Sequence, residues 1–539
     1  MGAAERNGAK RASPWPRRVT SGVLGLTAVW ALDPRPAQAW EVEVIGSGRV
    51  FRQSLPEDLL YAQLRLPSLT TTVSADRTAL QAHGLVELRH RPWDALGIRL
   101  GLDTGLLELD LTDGQLLADG RPLQDRLPET LFLGETSLDW QLGETGVVEL
   151  RIGKLRPRIG GGAILDAYAF GISADADLRL LPDEWPLEAR AYALIPDTTF
   201  TSAGKNSPLF ALQVGLHLLE SLVIRAHSAL YLDQGDGLAP ILGDAYARGR
   251  LGAARAGLDR LVAQFPPRLQ PAARAQGEAT LREAGELYNA GVLGYDVATS
   301  GSLGYLGLEA RYQTQSLTVE GLFLWSHGTV DANIAPNAAY RAYLAERFAR
   351  IPRLEEQLLA RQTDQGAVSL DGLFARLTTS LALPGALTAR SFLLYLSGDQ
   401  GLLSDDPTDR RYDAFVALAP LITPTSIFFN GGLAGSVASP TVVSPAPDGA
   451  GVWAVGLGLS QRPLESLEWS VVGAALWSAV PAANGGRYYG TELNLGAEFW
   501  VAAPWALTVD LGLFAAGDYF GDRPLGYQLI AGAQLYLGD

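Results

Sequence analysis

The sequence predicts an all-β fold: an antiparallel transmembrane β-barrel of about 18 (18–20) strands, with helical insertions in two long extracellular loops. Three observations carry this. The C-terminal stretch divides into three runs of period two, the spacing of a strand with two unlike faces. In residues 489–500, Glu492, Asn494, Gly496 and Glu498 oppose Leu493, Leu495, Ala497 and Phe499. In residues 507–513, Thr508, Asp510 and Gly512 oppose Leu507, Val509, Leu511 and Leu513, and residues 527–537 repeat the pattern with Gln528, Gly532 and Gln534 on the polar side. The connections alternate in length: a short one at 501–506, containing Pro504-Trp505, then a longer polar one at 517–526. No stretch beyond the N-terminus holds the ~20 consecutive apolar residues of a spanning helix, although 47% of the chain is hydrophobic.

Taken in order, residues 1–39 read as a secretory signal peptide. Arg6, Lys10, Arg11, Arg17 and Arg18 precede an apolar run over 19–32, and Ala37-Gln38-Ala39 supplies small residues for cleavage before Trp40. The barrel then occupies 40–539. Residues 41–50 and 59–66 are strand-like but have no clear place. From residue 85 the rhythm is regular, with short turns at Pro92-Trp93-Asp94, Gly143, 182–186, Glu220-Ser221, Ser316, Pro384-Gly385, Pro463-Leu464 and Pro504-Trp505. The count stays open at the N-terminus and around 412–435. A cleaved leader puts the mature N-terminus in the periplasm and the short turns with it, so the long loops face outward. Trp93, Trp185 and Trp505 then sit at the inner membrane boundary, where an aromatic girdle belongs. Localisation in the outer membrane follows.

Two of the long connections are helical, at about 238–293 and 335–363. In the first, Leu251, Ala254, Leu258, Leu261, Val262 and Phe265 share a face before Pro266-Pro267, and Leu281, Ala284 and Leu287 resume it. In the second, Leu344, Phe348, Ile351, Leu354 and Leu358 recur at helical spacing. These faces can cap the barrel mouth, dip into the lumen, or decorate the surface.

The polar faces of the strands carry the charge. Pore-lining candidates are Arg89, Arg91, Arg99, Arg151, Arg179, Arg190, Arg225, Arg311 and Arg390, with Glu87, Asp103, Asp175, Asp177, Glu309, Glu492, Glu498 and Asp510. Glu135, Asp139, Glu149, Glu188 and Glu320 share those faces. An Arg on the lipid side costs about 2–4 kcal/mol at mid-depth, so the alternation turns these groups inward. There they either pair into a wet wall or attract an anionic solute. Arg151, Lys154, Arg156 and Arg158, running into Gly160-Gly161-Gly162, form the densest basic patch, read as a rim feature or a solvated charge run.

No catalytic constellation is found, so the chain is read as a non-enzyme with no catalytic residues, cofactor or metal. A Gly-x-Ser-x-Gly elbow, a His-Glu-x-x-His pair and a P-loop are all missing. The chain has no cysteine and five histidines, which removes thiol chemistry and disulfides. A formal charge of −15 argues against nucleic acid as a partner.

Tyr489-Gly490-Thr491-Glu492-Leu493-Asn494-Leu495, followed by the strand that ends at Gly517-Asp518-Tyr519-Phe520, resembles the C-terminal signature of the alginate-export porin family. Ile152-Gly153-Lys154 and Tyr412-Asp413 leading to Phe428-Phe429 are looser echoes. The resemblance covers about fifty residues; elsewhere only the strand rhythm agrees. It implies a monomeric barrel of about eighteen strands. It also implies an Arg-rich lumen that passes a polyanionic polysaccharide under a loop gate. Asn494 departs from the acid expected there, the charged face is mixed, and the chain ends on Asp539 instead of an aromatic residue. Three readings follow: a channel for export or passage of a polysaccharide, a general diffusion porin for small solutes, and a structural or adhesive barrel. The partners expected are outer-membrane lipid, an anionic or neutral polysaccharide and periplasmic export components.

Overall fold

A segment with apolar residues at every second position presents one apolar face once it pairs into a sheet. If that face meets lipid, the sheet must close, because an open edge would leave backbone N–H and C=O groups without partners. The computed structural model shows this closure. It describes residues 40–54, 76–93, 95–104, 107–111, 116–118, 121–122, 133–142, 147–181, 185–196, 207–289, 294–347, 362–402, 410–418, 422, 424–429, 449–482, 485–502, 504–520 and 525–537.

Eighteen strands form one closed antiparallel barrel. In chain order they are β1 (Glu41–Ser54), β2 (Asp76–Trp93), β3 (Leu96–Asp103), β4 (Leu133–Leu142), β5 (Val148–Leu155) and β6 (Ala169–Asp177). Then come β7 (Leu187–Pro196), β8 (Leu209–Leu219), β9 (Leu222–Asp233), β10 (Tyr295–Gln313), β11 (Leu317–Pro336) and β12 (Asp364–Leu383). The last are β13 (Leu387–Leu396), β14 (Val452–Leu464), β15 (Leu467–Trp477), β16 (Tyr488–Ala502), β17 (Trp505–Ala516) and β18 (Gly526–Leu537). Each pairs with the next, and β1 closes on β18 in an unbroken register from Val44↔Leu537 to Ser54↔Tyr527.

The count falls at the lower end of the expected range. The N-terminal run over 41–50 is part of β1, the closing strand. The run at 59–66, the signal peptide and the turn at Gly143 lie outside the described residues. In 412–435, where strands were undecided, the described residues add no barrel strand. Arg411–Tyr412 makes only a two-residue parallel pairing with Ser369 and Leu370 of β12.

The outer face is an apolar belt in which Leu102, Leu216, Leu308, Phe323, Leu457 and Val509 are exposed. Aromatic residues bound it. Trp93, Trp140, Trp185, Phe499 and Trp505 stand near the short turns, and Phe170, Phe210, Trp453 and Trp477 stand near the long loops. Trp469 and Trp477 share the outer face of β15 and are eight residues apart, about 26 Å along a strand. That matches an apolar band roughly 25 Å tall.

Strands β10, β11 and β12 have 19, 20 and 20 residues, about twice the 9–11 that span a bilayer. In their outward halves the alternation changes meaning. Val330, Ile334, Val368 and Leu370 are buried on the inner face, whereas Thr329, Asp331, Asn333, Gln365 and Ser369 are exposed on the outer one. The apolar side here covers segments folded into the barrel.

The helical insertions are α1 (Ala239–Val262) and α2 (Gln270–Asn289), between β9 and β10, and α3 (Ala338–Arg347), between β11 and β12. The rest of the second expected helical stretch, including Phe348, Ile351, Leu354 and Leu358, lies outside the described residues. Leu258 of α1 packs against α2 at Gly277. The shared apolar face expected for this hairpin is not covered throughout. Val262 is buried, but Leu261 and Phe265 are exposed, because only the first half of α1 reaches the barrel interior.

Val509 and Thr508 test the two faces one residue apart. In urea titrations of the barrel folded into vesicles, Val509→Arg should lose roughly 2–4 kcal/mol and the inward Thr508→Arg less than about 1 kcal/mol.

Candidate channel constriction

The face opposite the belt lines the interior, and its charges pair both between strands and along one strand. Strand register sets many of these pairs, since Asp175 lies directly across from Arg190 and Arg225 across from Glu309. Arg89 binds Glu87 and lies 3.3 Å from Glu43. Arg99 is 2.8 Å from Glu135 and 3.7 Å from Asp139. Arg151 meets Glu149 at 3.0 Å and Arg190 meets Asp175 at 3.1 Å. Arg179, expected on the strand, lies past the end of β6 in the 3-10 turn Leu178–Leu180, where Asp177 caps the turn and holds it at 2.7 Å. Arg225 bridges Glu188 (2.7 Å) and Glu309 (2.8 Å), with His217 and His227 each 3.3 Å from one of those acids. Arg376 meets Glu320 at 2.8 Å. In a wet interior such pairs are worth about 0–1 kcal/mol each, so their chief effect is on the field of the lumen and not on stability. From β1 to β12 the wall is close to neutralised. From β13 to β17 many inner positions are small, including Gly456, Gly458, Ser470, Gly496 and Gly512, with Arg390, Glu468, Glu498 and Asp510 among them.

Three segments fold into this interior. The first is residues 156–168, between β5 and β6, where Arg158–Ile159 pairs with Leu165–Asp166. Gly160, Gly161 and Gly162 all have positive φ (58°, 60° and 87°), which reverses the chain tightly. They also let the backbone lie flush on the wall. A Cβ at Gly160 would sit 2.9 Å from Ile164, and one at Gly161 3.0 Å from Leu322 and 3.3 Å from Arg376. The second segment is the described part of 397–429. Tyr305 Oη donates to Val416 O (3.1 Å), and Leu418 N donates to Ile164 O (2.9 Å), so the two segments meet inside the barrel. Burial pushes the Asp399 carboxyl above the usual range, although it accepts the backbone N–H of Gly401 (2.6 Å) and Asp413 (3.0 Å).

The third segment is the start of α1. Leu238 provides no side-chain cap, and the Asp233 carboxylate does that work by accepting from Gly237 N (2.7 Å) and Leu238 N (3.2 Å). It also accepts from the hydroxyl of Thr299 on β10. Asp236, at φ +59°, accepts from Thr299 N at 2.7 Å. The helix is thus fastened to the tall wall, and Ile241, Leu242, Ala245 and Tyr246 enter one buried cluster with Ile159, Ile164, Phe415, Val416 and Phe428. Burial also raises the Tyr246 phenol above its ordinary value.

Most of the expected pore-lining residues lie on the inner face, but they are not equivalent. Arg91, Arg190, Arg390 and Asp510 are exposed there, and Arg311 donates to Gln313 (2.9 Å). Two acids do not line open lumen, because inward segments cover them. Asp103 accepts the Tyr168 hydroxyl at 2.6 Å and faces His83 at 3.0 Å. Glu492 is fully buried under residues 425–428. The basic patch is no rim feature. Arg156 and Arg158 belong to the inward segment, 3.7 and 3.8 Å from Asp166, and the Arg158 side chain is 65% exposed. Gly160-Gly161-Gly162 was the available signal for this fold. Residues 397–429 carried none, since their apolar residues have no period. Among the described residues no group of three or more His, Cys, Asp or Glu is placed to hold a metal ion.

No protein-family model matches the chain, and no curated protein matches its sequence. Solved structures do resemble it in shape. Pseudomonas aeruginosa OccK5 (OpdH) aligns at TM-score 0.44 and 9% identity, covering 93% of this chain and 99% of that one. The outer membrane protein OprD from Pseudomonas aeruginosa aligns at 0.44 and 10%, covering 93% and 96%. Acinetobacter baumannii OccAB4 aligns at 0.43 and 11%, covering 94% and 100%. The barrel assignment here stands on the pairing and closure of the strands themselves.

Gly249 tests the packing of α1. Gly→Ala inside a helix ordinarily gains up to about 1 kcal/mol, but a Cβ at Gly249 would lie 1.7 Å from Leu402 O. Gly249→Ala should therefore prise α1 from the 401–402 turn and expose it to protease. Gly285→Ala, with only Leu251 at 3.9 Å, should leave the protease pattern unchanged.

Proposed function

We propose that the chain is an outer-membrane channel for small polar solutes. One observation carries this: three inward segments pack into one buried cluster inside the barrel, two of them joined by the hydrogen bond from Leu418 N to Ile164 O (2.9 Å). A lumen narrowed in this way suits a compact solute better than a polymer. The apolar belt and its two aromatic rows support a membrane position, and the long strands β10–β12 with their inward loops suit the outward side. Passage of a polysaccharide, which the C-terminal resemblance implies, is a second reading. It is favoured by the exposed guanidinium of Arg158, which stands at the inward segment like the start of a track for an anionic chain.

The neutralised arc from β1 to β12 predicts weak ion selectivity. In planar bilayers the purified barrel should give steady single-channel currents with a reversal potential near zero in a salt gradient. Arg156→Ala combined with Arg158→Ala should shift it toward cation preference, since removing both bases leaves Asp166 alone. Absence of current in every preparation would favour a structural or adhesive barrel. Strong anion selectivity lost in the double variant would favour the polysaccharide reading.

A further inference from the structure

Residues 424–429 lie against the inner face of β16 and β17 as a strap. The Glu492 carboxylate is fully buried there and accepts Thr425 Oγ1 (2.8 Å), Ile427 N (2.7 Å), Phe428 N (2.9 Å) and Asn494 Nδ2 (2.7 Å), with Ser426 Oγ at 3.4 Å. Among the described residues it makes no ion pair, so neutral donors hold its charge. Asn494 adds Nδ2 to Ser426 Oγ (2.7 Å) and accepts Ser426 N (3.2 Å). The neighbouring wall position is hollowed to fit. Gly512 pairs with Asn494, and a Cβ on it would lie 2.9 Å from Ile427 Cγ1 and Cδ1. Phe428 then rests 4.9 Å from the Tyr489 ring. None of these contacts belongs to the wall's own pairing. The register from Gly490↔Ala516 through Phe499↔Leu507 is unbroken without the strap.

We infer that Glu492 is a positioning residue for the aperture: it fastens the strap over the small-residue side of the lumen, and the strap can be released while the barrel stays closed. The inference rests on the channel reading where it concerns aperture, but the fastening itself does not. Glutamine cannot replace Glu492 silently. Each carboxylate oxygen accepts one backbone N–H, Ile427 on one side and Phe428 on the other, so either amide orientation sets an NH2 against a backbone donor.

The chain has no cysteine, so Ile427→Cys introduces one thiol beneath the fastened strap. Maleimide should label it slowly, and about tenfold faster when Glu492→Gln is added, the factor expected for one lost charge-assisted hydrogen bond. Heat-modifiable migration on gels checks that the barrel remains folded. If Glu492→Gln fails that check, Gly512→Val, which fills the seat of Ile427, replaces it. In planar bilayers Glu492→Gln should raise the single-channel conductance. Adding Ser426→Cys and Asn494→Cys, whose side chains touch at 2.7 Å in the parent, should restore the lower conductance when oxidised and release it when reduced. Unchanged labelling in the folded variant would overturn the fastening. Faster labelling with unchanged conductance would overturn the aperture role. If no form conducts, wild type included, the channel reading fails and with it the aperture role, while labelling still decides the fastening.

Discussion

A chain with an apolar outer surface has nowhere outside its own sheet to satisfy backbone hydrogen bonds, and that constraint shapes the rest of the molecule. It forces β1 onto β18 and leaves the eighteen strands without an edge. It also fixes which side of each strand is free to vary. The belt must stay apolar, so charge, glycine size and loop docking are confined to the inner face. Arg225 and its neighbouring acids are a consequence: Arg225 meets Glu309 on the adjacent strand β10 and reaches Glu188 on β7 across Gly215 of β8.

Closure leaves an interior to fill, and the chain fills part of it from one side. The tall wall of β10–β12 turns an apolar face inward above the belt, and segment 156–168, the start of α1 and the described part of 397–429 pack on it as one cluster. Specific polar contacts between distant parts of the chain place these pieces. Asp233 caps α1 and reaches Thr299, Ile164 meets Leu418 through the backbone, and Glu492 gathers the donors of the strap. Burying a carboxylate is costly unless its oxygens are satisfied, and each oxygen of Glu492 has at least two donors. Such an arrangement tolerates little substitution, which makes a fastening point specific.

The barrel was legible in the sequence because alternation is a local property. Leu493, Leu495 and Phe499 against Glu492, Asn494 and Glu498 declare a two-faced strand with no knowledge of its neighbours. The same pattern in the upper halves of β11 and β12 hid a reversal, since Val330 and Leu370 alternate just as lipid-facing residues do. What covers an inner position is not local. Glu492 reads as a lumen acid, yet its cover comes from Ile427, 65 residues upstream. Arg156 and Arg158 were visible as a basic run, but only the turn at Gly160-Gly161-Gly162, packed on Leu322, sends them inward. The helices between β9 and β10 were found by their spacing. Their partners were not, because α1 buries its first half against strands and leaves Phe265 exposed.

The central claim is that inward segments narrow a closed barrel to a passage for compact solutes. Liposome swelling with neutral sugars of increasing size measures that directly. The account predicts fast swelling with monosaccharides, falling steeply by the tri- to tetrasaccharide range. Equal swelling rates up to long oligosaccharides would contradict it, and would mean that the contact between Ile164 and Leu418 does not restrict the lumen.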